Sequence, residues 1–173
     1  KAIKNNLKVI MPYYGVPIGQ TNEEVAMAFN DYILSDLLRN ELGYDGVICS
    51  DWGIITGRHW GVGDLSIEER YKKSLQAGID QYGGENNPSY ILNLIENNNV
   101  SEQRINESVT KILINKFELG LFDNPYVDED MIHKRVNTIE NIKAGIEAQR
   151  RSIVLLENDG VLPLKQETKI FVD

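Results

Sequence analysis

Three short apolar runs begin near residues 7, 46 and 79, and stretches of helical periodicity separate them. This alternation most constrains the fold. Strand, helix, strand order implies parallel strands joined by right-handed crossovers, in an open sheet or a barrel. The first run, 7–11, stops at Pro12, which removes a ladder donor. Thr21 with Glu24 three residues later predicts a capping box. Val25, Phe29, Ile33 and Leu37 follow at helical spacing, and Gly43 supplies a residue suited to positive φ at the helix end. The second run, 46–50, ends on Asp51. Ser66 with Glu69 predicts another capping box, and Gly78 the stop of that helix. A weaker third strand, 79–82, leads into Gly83 and Gly84, and a short helix is expected around 90–95. Ser101 opens a last helix ending at Gly120, whose stripe of Ile105, Val109, Ile112, Leu113 and Phe117 is expected to lie in the core.

In a (β/α)8 barrel the active residues sit at the C-terminal ends of the strands. Residues 12–14, 51–52 and 82–85 then converge on one rim. A full barrel takes about 250 residues, and three βα units in 173 residues read as its last part. The expected organisation is the C-terminal part of a barrel over 1–122 and an interdomain linker with a helix over 123–151. Residues 152–173 then start a further α/β domain, with a strand beginning at 169–172.

A formal net charge of −8 argues against a nucleic-acid partner or an anionic membrane surface. No apolar stretch approaches the roughly 18 residues of a membrane span. Cys49 is the single cysteine, so no intrachain disulfide forms and compartment stays open. Lys1 stands first and no signal-like segment follows, so the start reads as a cut end with any targeting signal upstream. Localisation is therefore open. A secreted or periplasmic full-length protein is compatible with the sequence.

Asp51 is the leading candidate for chemistry. A carboxylate at the tip of an apolar strand can act as nucleophile or base, or it can cap the loop that follows. Trp52 offers an aromatic face suited to a sugar ring. Tyr13 and Tyr14 close the first strand, and alternation sends one towards the barrel interior and the other towards the helices. Arg58, His59 and Trp60 lie in a Gly-rich loop after Asp51 and can contact substrate. His59 has no second ligand at metal spacing, so neither a metal nor a cofactor is expected. The Gly83-Gly84-Glu85 loop occupies the place where barrels hold phosphate, but Glu85 disfavours an anion.

Taken together, Gly46-Val47-Ile48-Cys49-Ser50-Asp51-Trp52 resembles the nucleophile motif of glycoside hydrolase family 3. Residues 37–45 resemble that family's approach to the motif, 9–14 its sixth strand, 75–80 its eighth, and 152–164 the entry into its second domain. The resemblance implies strands six to eight of a (β/α)8 TIM-type barrel, then a linker and the start of an α/β sandwich domain. It implies an exo-acting, retaining β-glucosidase or β-xylosidase, in which one carboxylate attacks and a second, about 5–5.5 Å away, is acid and base. Asp51 matches the nucleophile, and Tyr14 and Trp52 match substrate contacts, with Tyr13, His59 and Trp60 as further candidates. The acid/base falls outside this chain, so the segment alone is expected to be inactive. The partners implied are a β-linked glucoside, xyloside or oligosaccharide, and the remainder of the same polypeptide. Two alternatives remain: a different barrel enzyme with a phosphorylated substrate, or a non-catalytic sugar-binding relative.

Overall fold

A computed structural model of the chain describes residues 1–171. The chain divides into two compact units, Lys1–Pro125 and Tyr126–Asp173.

In the first unit, strands β1 (Val9–Ile10) and β2 (Val47–Ile48) pair in parallel, with Val9 opposite Val47 and Ile10 opposite Ile48. Cys49 makes a parallel bridge with Gln81, which places the third run beside β2. The order of these segments follows the sequence reading, but their lengths do not: the ladders close over only two residues or one. One reason is a side chain. The Ile48 N–H donates to Asp80 Oδ2 at 3.0 Å, not to a strand carbonyl.

The region 21–42 departs most from expectation. No helix starts at Thr21. Its hydroxyl donates to the Glu23 carbonyl at 2.6 Å, and Glu24 accepts the Gly19 N–H at 3.1 Å instead of closing a capping box. A tertiary contact overrides the local signal. The Ala26 N–H is bonded to the Trp60 carbonyl at 3.0 Å, and Gly61 presses so close that a Cβ there would lie 2.4 Å from the Glu24 carbonyl oxygen. Helical winding begins later, with a 3-10 turn at Met27–Phe29 and a π-helix at Tyr32–Glu41. The cap falls to the fully buried Asn30, whose Oδ1 accepts the Ile33 N–H at 3.0 Å. Gly43 then takes φ 66°, as its position at the helix end predicts.

The next helices follow the sequence more closely. Helix α1 (Ile67–Ala77) carries the full Ser66–Glu69 capping box and stops at Gly78 with φ 117°. Helix α2 (Ser89–Glu96) and helix α3 (Glu102–Glu118, capped by Ser101) complete the unit. The core gathers Phe29, Leu34, Tyr44, Ile48, Ile54, Ile55, Tyr71, Leu75 and Ile79.

The expected core stripe of α3 holds only in part: Ile105 packs against the core, but the later positions do not. Val109 is 45% and Phe117 63% exposed, and Leu113 is exposed as well. The helix instead turns a polar stripe inward. Arg104, Ser108 and Lys111, spaced by one helical turn, all reach the buried Asp80. Its Oδ2 also receives Arg39 at 2.6 Å. Burial pushes the Asp80 pKa up. The Ile48 N–H, the Ser108 hydroxyl and the Lys111 ammonium outweigh burial and hold it below the ordinary carboxylate value.

The second unit holds a 3-10 turn at Glu129–Met131, a short helix α4 (Ile132–Arg135) and helix α5 (Ile139–Ser152), which Thr138 caps. Helix α5 matches its expected span. The strand expected at 169–172 shows no regular structure over 169–171, and its last residue lies outside the described residues.

Candidate active site

The site grows from the C-terminal end of β2. Both strand residues, Val47 and Ile48, are buried, and beyond them buried Ser50 stands between half-buried Cys49 and Asp51. Asp51 Oδ1 accepts the Trp52 N–H at 2.7 Å. The carboxylate therefore caps its own turn through Oδ1, and the Tyr14 hydroxyl lies within hydrogen-bonding reach of it.

Tyr14 comes to the same place from the end of β1. Its hydroxyl donates to the Trp52 carbonyl at 2.6 Å. Burial raises its pKa, and the neighbouring Asp51 carboxylate raises it further, against the pull of Arg58. The phenol thus remains protonated and remains a donor beside Asp51. The Arg58 guanidinium lies over the Tyr14 ring at 5.2 Å and also donates to the Trp52 carbonyl at 3.3 Å. Trp60 meets Tyr14 edge-on, with ring centroids 5.5 Å apart. Trp52 itself is 69% exposed, an aromatic face open beside Asp51.

Not every sequence candidate joins this group. Tyr13, 68% exposed, borders a different surface, an apolar groove of about 300 Å³ between β1 and the π-helix. The two tyrosines therefore part as strand alternation predicts, with Tyr14 on the side of Asp51. His59 has no hydrogen bond or ring contact to Asp51 or Tyr14 among the described residues, and its Nδ1 is buried without a partner.

The loop 83–85 proves to be part of the same structure. Gly84 has φ 71°, and a Cβ there would stand 2.6 Å from the Trp52 ring, so the indole rests directly on glycine backbone. The Gly83 N–H is taken by Ser50 Oγ at 3.0 Å. Glu85 Oε1 accepts the Ile55 and Thr56 N–H groups at 2.9 and 3.0 Å. The loop thus holds an indole and a carboxylate at the place where barrels hold phosphate. Glu85 carries no motif signal for this role. The apolar Ile54-Ile55 pair ahead of Thr56, where the Ile55 and Thr56 N–H groups need a partner on the rim, is the one hint in the sequence.

No three His, Cys, Asp or Glu side chains stand close enough to hold a metal ion among the described residues. None of the described helices is long and apolar enough to cross a membrane.

Comparison with known proteins identifies the family. The profile described as Glycosyl hydrolase family 3 N terminal domain matches residues 1–114. The chain is 45% identical to the probable beta-glucosidase C of Aspergillus flavus, over 99% of this chain and 29% of that protein. It is 33% identical to the periplasmic beta-glucosidase/beta-xylosidase of Dickeya chrysanthemi, over 94% of this chain and 29% of that protein. The crystal structure of beta-glucosidase from Listeria innocua superposes with a TM-score of 0.71 at 30% identity, covering 94% of this chain and 22% of that one. The chain thus spans about 29% of the length of the curated relatives it matches. With the profile covering residues 1–114 and a relative 45% identical over 99% of the chain, the chain belongs to glycosyl hydrolase family 3.

Proposed function

We propose that this chain supplies the nucleophile side of a retaining, exo-acting β-glycosidase of the β-glucosidase or β-xylosidase type. The observation that carries the proposal is Asp51 just after β2, one oxygen fixed by the Trp52 N–H at 2.7 Å and the carboxylate within reach of the Tyr14 hydroxyl. In the first step Asp51 Oδ2 attacks the anomeric carbon as the bond to the leaving oxygen breaks. That oxygen takes a proton from a carboxylic acid elsewhere in the same polypeptide, and a glycosyl-aspartate forms. In the second step water attacks the same carbon, gives its proton to that carboxylate, and releases Asp51 with the β configuration restored. Tyr14 holds the Trp52 carbonyl and presents a protonated phenol beside Asp51, while Trp52 and Trp60 offer ring faces to the sugar. Tyr13 and His59 have weaker support as substrate contacts.

The parallel β1–β2 pair and the Cys49–Gln81 bridge support neighbouring strands six, seven and eight of a (β/α)8 barrel over 1–122. A linker over 123–151 and the start of an α/β sandwich over 152–173 complete the proposed organisation. The substrate class is a β-linked glucoside, xyloside or oligosaccharide. A periplasmic relative supports an extracytoplasmic setting for the whole protein.

Chemical rescue tests the reading. In the intact protein Asp51→Ala should abolish hydrolysis of an aryl β-glucoside. Added azide should restore turnover and give the α-glycosyl azide, because azide then attacks from the face that Asp51 served. Hydrolysis retained in Asp51→Ala, or rescue giving the β-azide, contradicts the assignment.

A further inference from the structure

The loop after Asp51 is moulded by the loop after the third strand segment. The Gly53 N–H donates to the Gly83 carbonyl at 2.9 Å, and the Gly83 N–H donates to Ser50 Oγ at 3.0 Å. Beyond these, Glu85 gathers three donors from one turn. Its Oε1 accepts the N–H groups of Ile55 and Thr56 at 2.9 and 3.0 Å, and its Oε2 accepts the Thr56 hydroxyl at 3.1 Å. Ile54 and Ile55 are fully buried beneath this turn, so the turn is pinned from below by packing and from the rim by one carboxylate. The two carboxyl oxygens supply the acceptors that these three converging donors need.

We propose that Glu85 is a positioning residue for the reaction at Asp51. The inference rests on the reading of Asp51 as nucleophile. Glu85 acts through the turn that begins at Trp52. The Trp52 N–H holds Asp51 Oδ1 at 2.7 Å, and the Trp52 carbonyl takes the Tyr14 hydroxyl at 2.6 Å. A shift of the turn therefore moves the group that orients Asp51 and the group that anchors Tyr14 together. Glu85 is not the missing acid/base, because both its oxygens are already engaged by donors of the turn.

The test uses the intact protein with Glu85→Ala, Glu85→Asp and Glu85→Gln. Three readouts apply: the second-order rate of inactivation by 2,4-dinitrophenyl 2-deoxy-2-fluoro-β-glucoside, kcat and KM on an aryl β-glucoside, and hydrogen exchange at the Ile55 and Thr56 amides. A displacement near 1 Å costs up to about 100-fold, so Glu85→Ala should inactivate about 10- to 100-fold more slowly. The loss should fall on kcat more than on KM. Both amides should exchange faster. Glu85→Asp, one methylene too short, should behave alike, whereas Glu85→Gln keeps an acceptor oxygen and should recover most of the rate and the protection. If Glu85→Ala does not fold, the contrast between Glu85→Asp and Glu85→Gln carries the same comparison. Inactivation at the wild-type rate in Glu85→Ala or Glu85→Asp, or a loss confined to KM, overturns the inference with Asp51 still the nucleophile. A wild-type label on another residue instead overturns the Asp51 reading, and the exchange result then stands apart from it.

Discussion

Replacing Asp80 by Asn should cost about 3–5 kcal/mol of folding free energy, the range for breaking a buried ion pair. The magnitude follows from what the carboxylate serves. Its side chain is 0% exposed, and around it stand Arg39 at 2.6 Å, Lys111 at 3.1 Å and Arg104 at 3.6 Å. It also accepts the Ile48 N–H at 3.0 Å and the Ser108 hydroxyl at 2.8 Å. Asn keeps the shape but leaves three cations without a counter-charge and turns an N–H2 group towards some of them. The cations are only 17–28% exposed, so water restores part of the loss and no more. Urea unfolding of the intact protein, followed by tryptophan fluorescence, should show a lower midpoint with an unchanged slope. The pH dependence has a fixed sign. Asp80 is held below its ordinary value of 3.8, so its contribution is fully present above that pH and disappears as pH falls through the lower folded value. Wild type and Asp80→Asn should therefore differ fully at neutral pH and converge below pH 3.8. A loss under about 1 kcal/mol, the worth of an exposed ion pair, would refute the reasoning.

Other outcomes follow from the same geometry. Tyr14→Phe removes the hydroxyl that holds the Trp52 carbonyl, and a neutral hydrogen bond worth about 0.5–1.5 kcal/mol predicts a roughly 2- to 10-fold lower kcat/KM on an aryl β-glucoside. Gly84→Ala places a Cβ 2.6 Å from the Trp52 ring at φ 71°, so steady-state kinetics should show a raised KM as the indole is displaced. Ser66→Ala opens the capping box of α1 and should lower stability by about 1 kcal/mol in a thermal melt, without altering KM.

The sequence made the local devices legible where tertiary contacts agreed with them. The Ser66–Glu69 box, the Ser101 cap and the positive φ of Gly43, Gly78 and Gly120 are all formed. The Thr21–Glu24 pattern is chemically the same signal, yet Trp60 and Gly61 claim that backbone first. Helix α3 shows a different limit. Its apolar stripe is real, but periodicity cannot say which neighbour covers it, and the polar stripe at 104, 108 and 111 is what meets Asp80. Asp51, Tyr14, Trp52 and Trp60 were readable because each stands at a strand end or in the loop that follows one. Asp80 and Glu85 were not, because their roles depend on N–H groups some thirty residues away, at Ile48 and Ile55.

The central claim is that Asp51 forms the covalent bond to sugar. Incubation of the intact protein with a 2-deoxy-2-fluoro-β-glucoside, followed by peptide mapping, tests it directly. The account predicts a single fluoroglucosyl adduct on Asp51, in the peptide carrying Ser50 and Trp52. An adduct on any other residue, or inactivation-free turnover with no adduct, would contradict it.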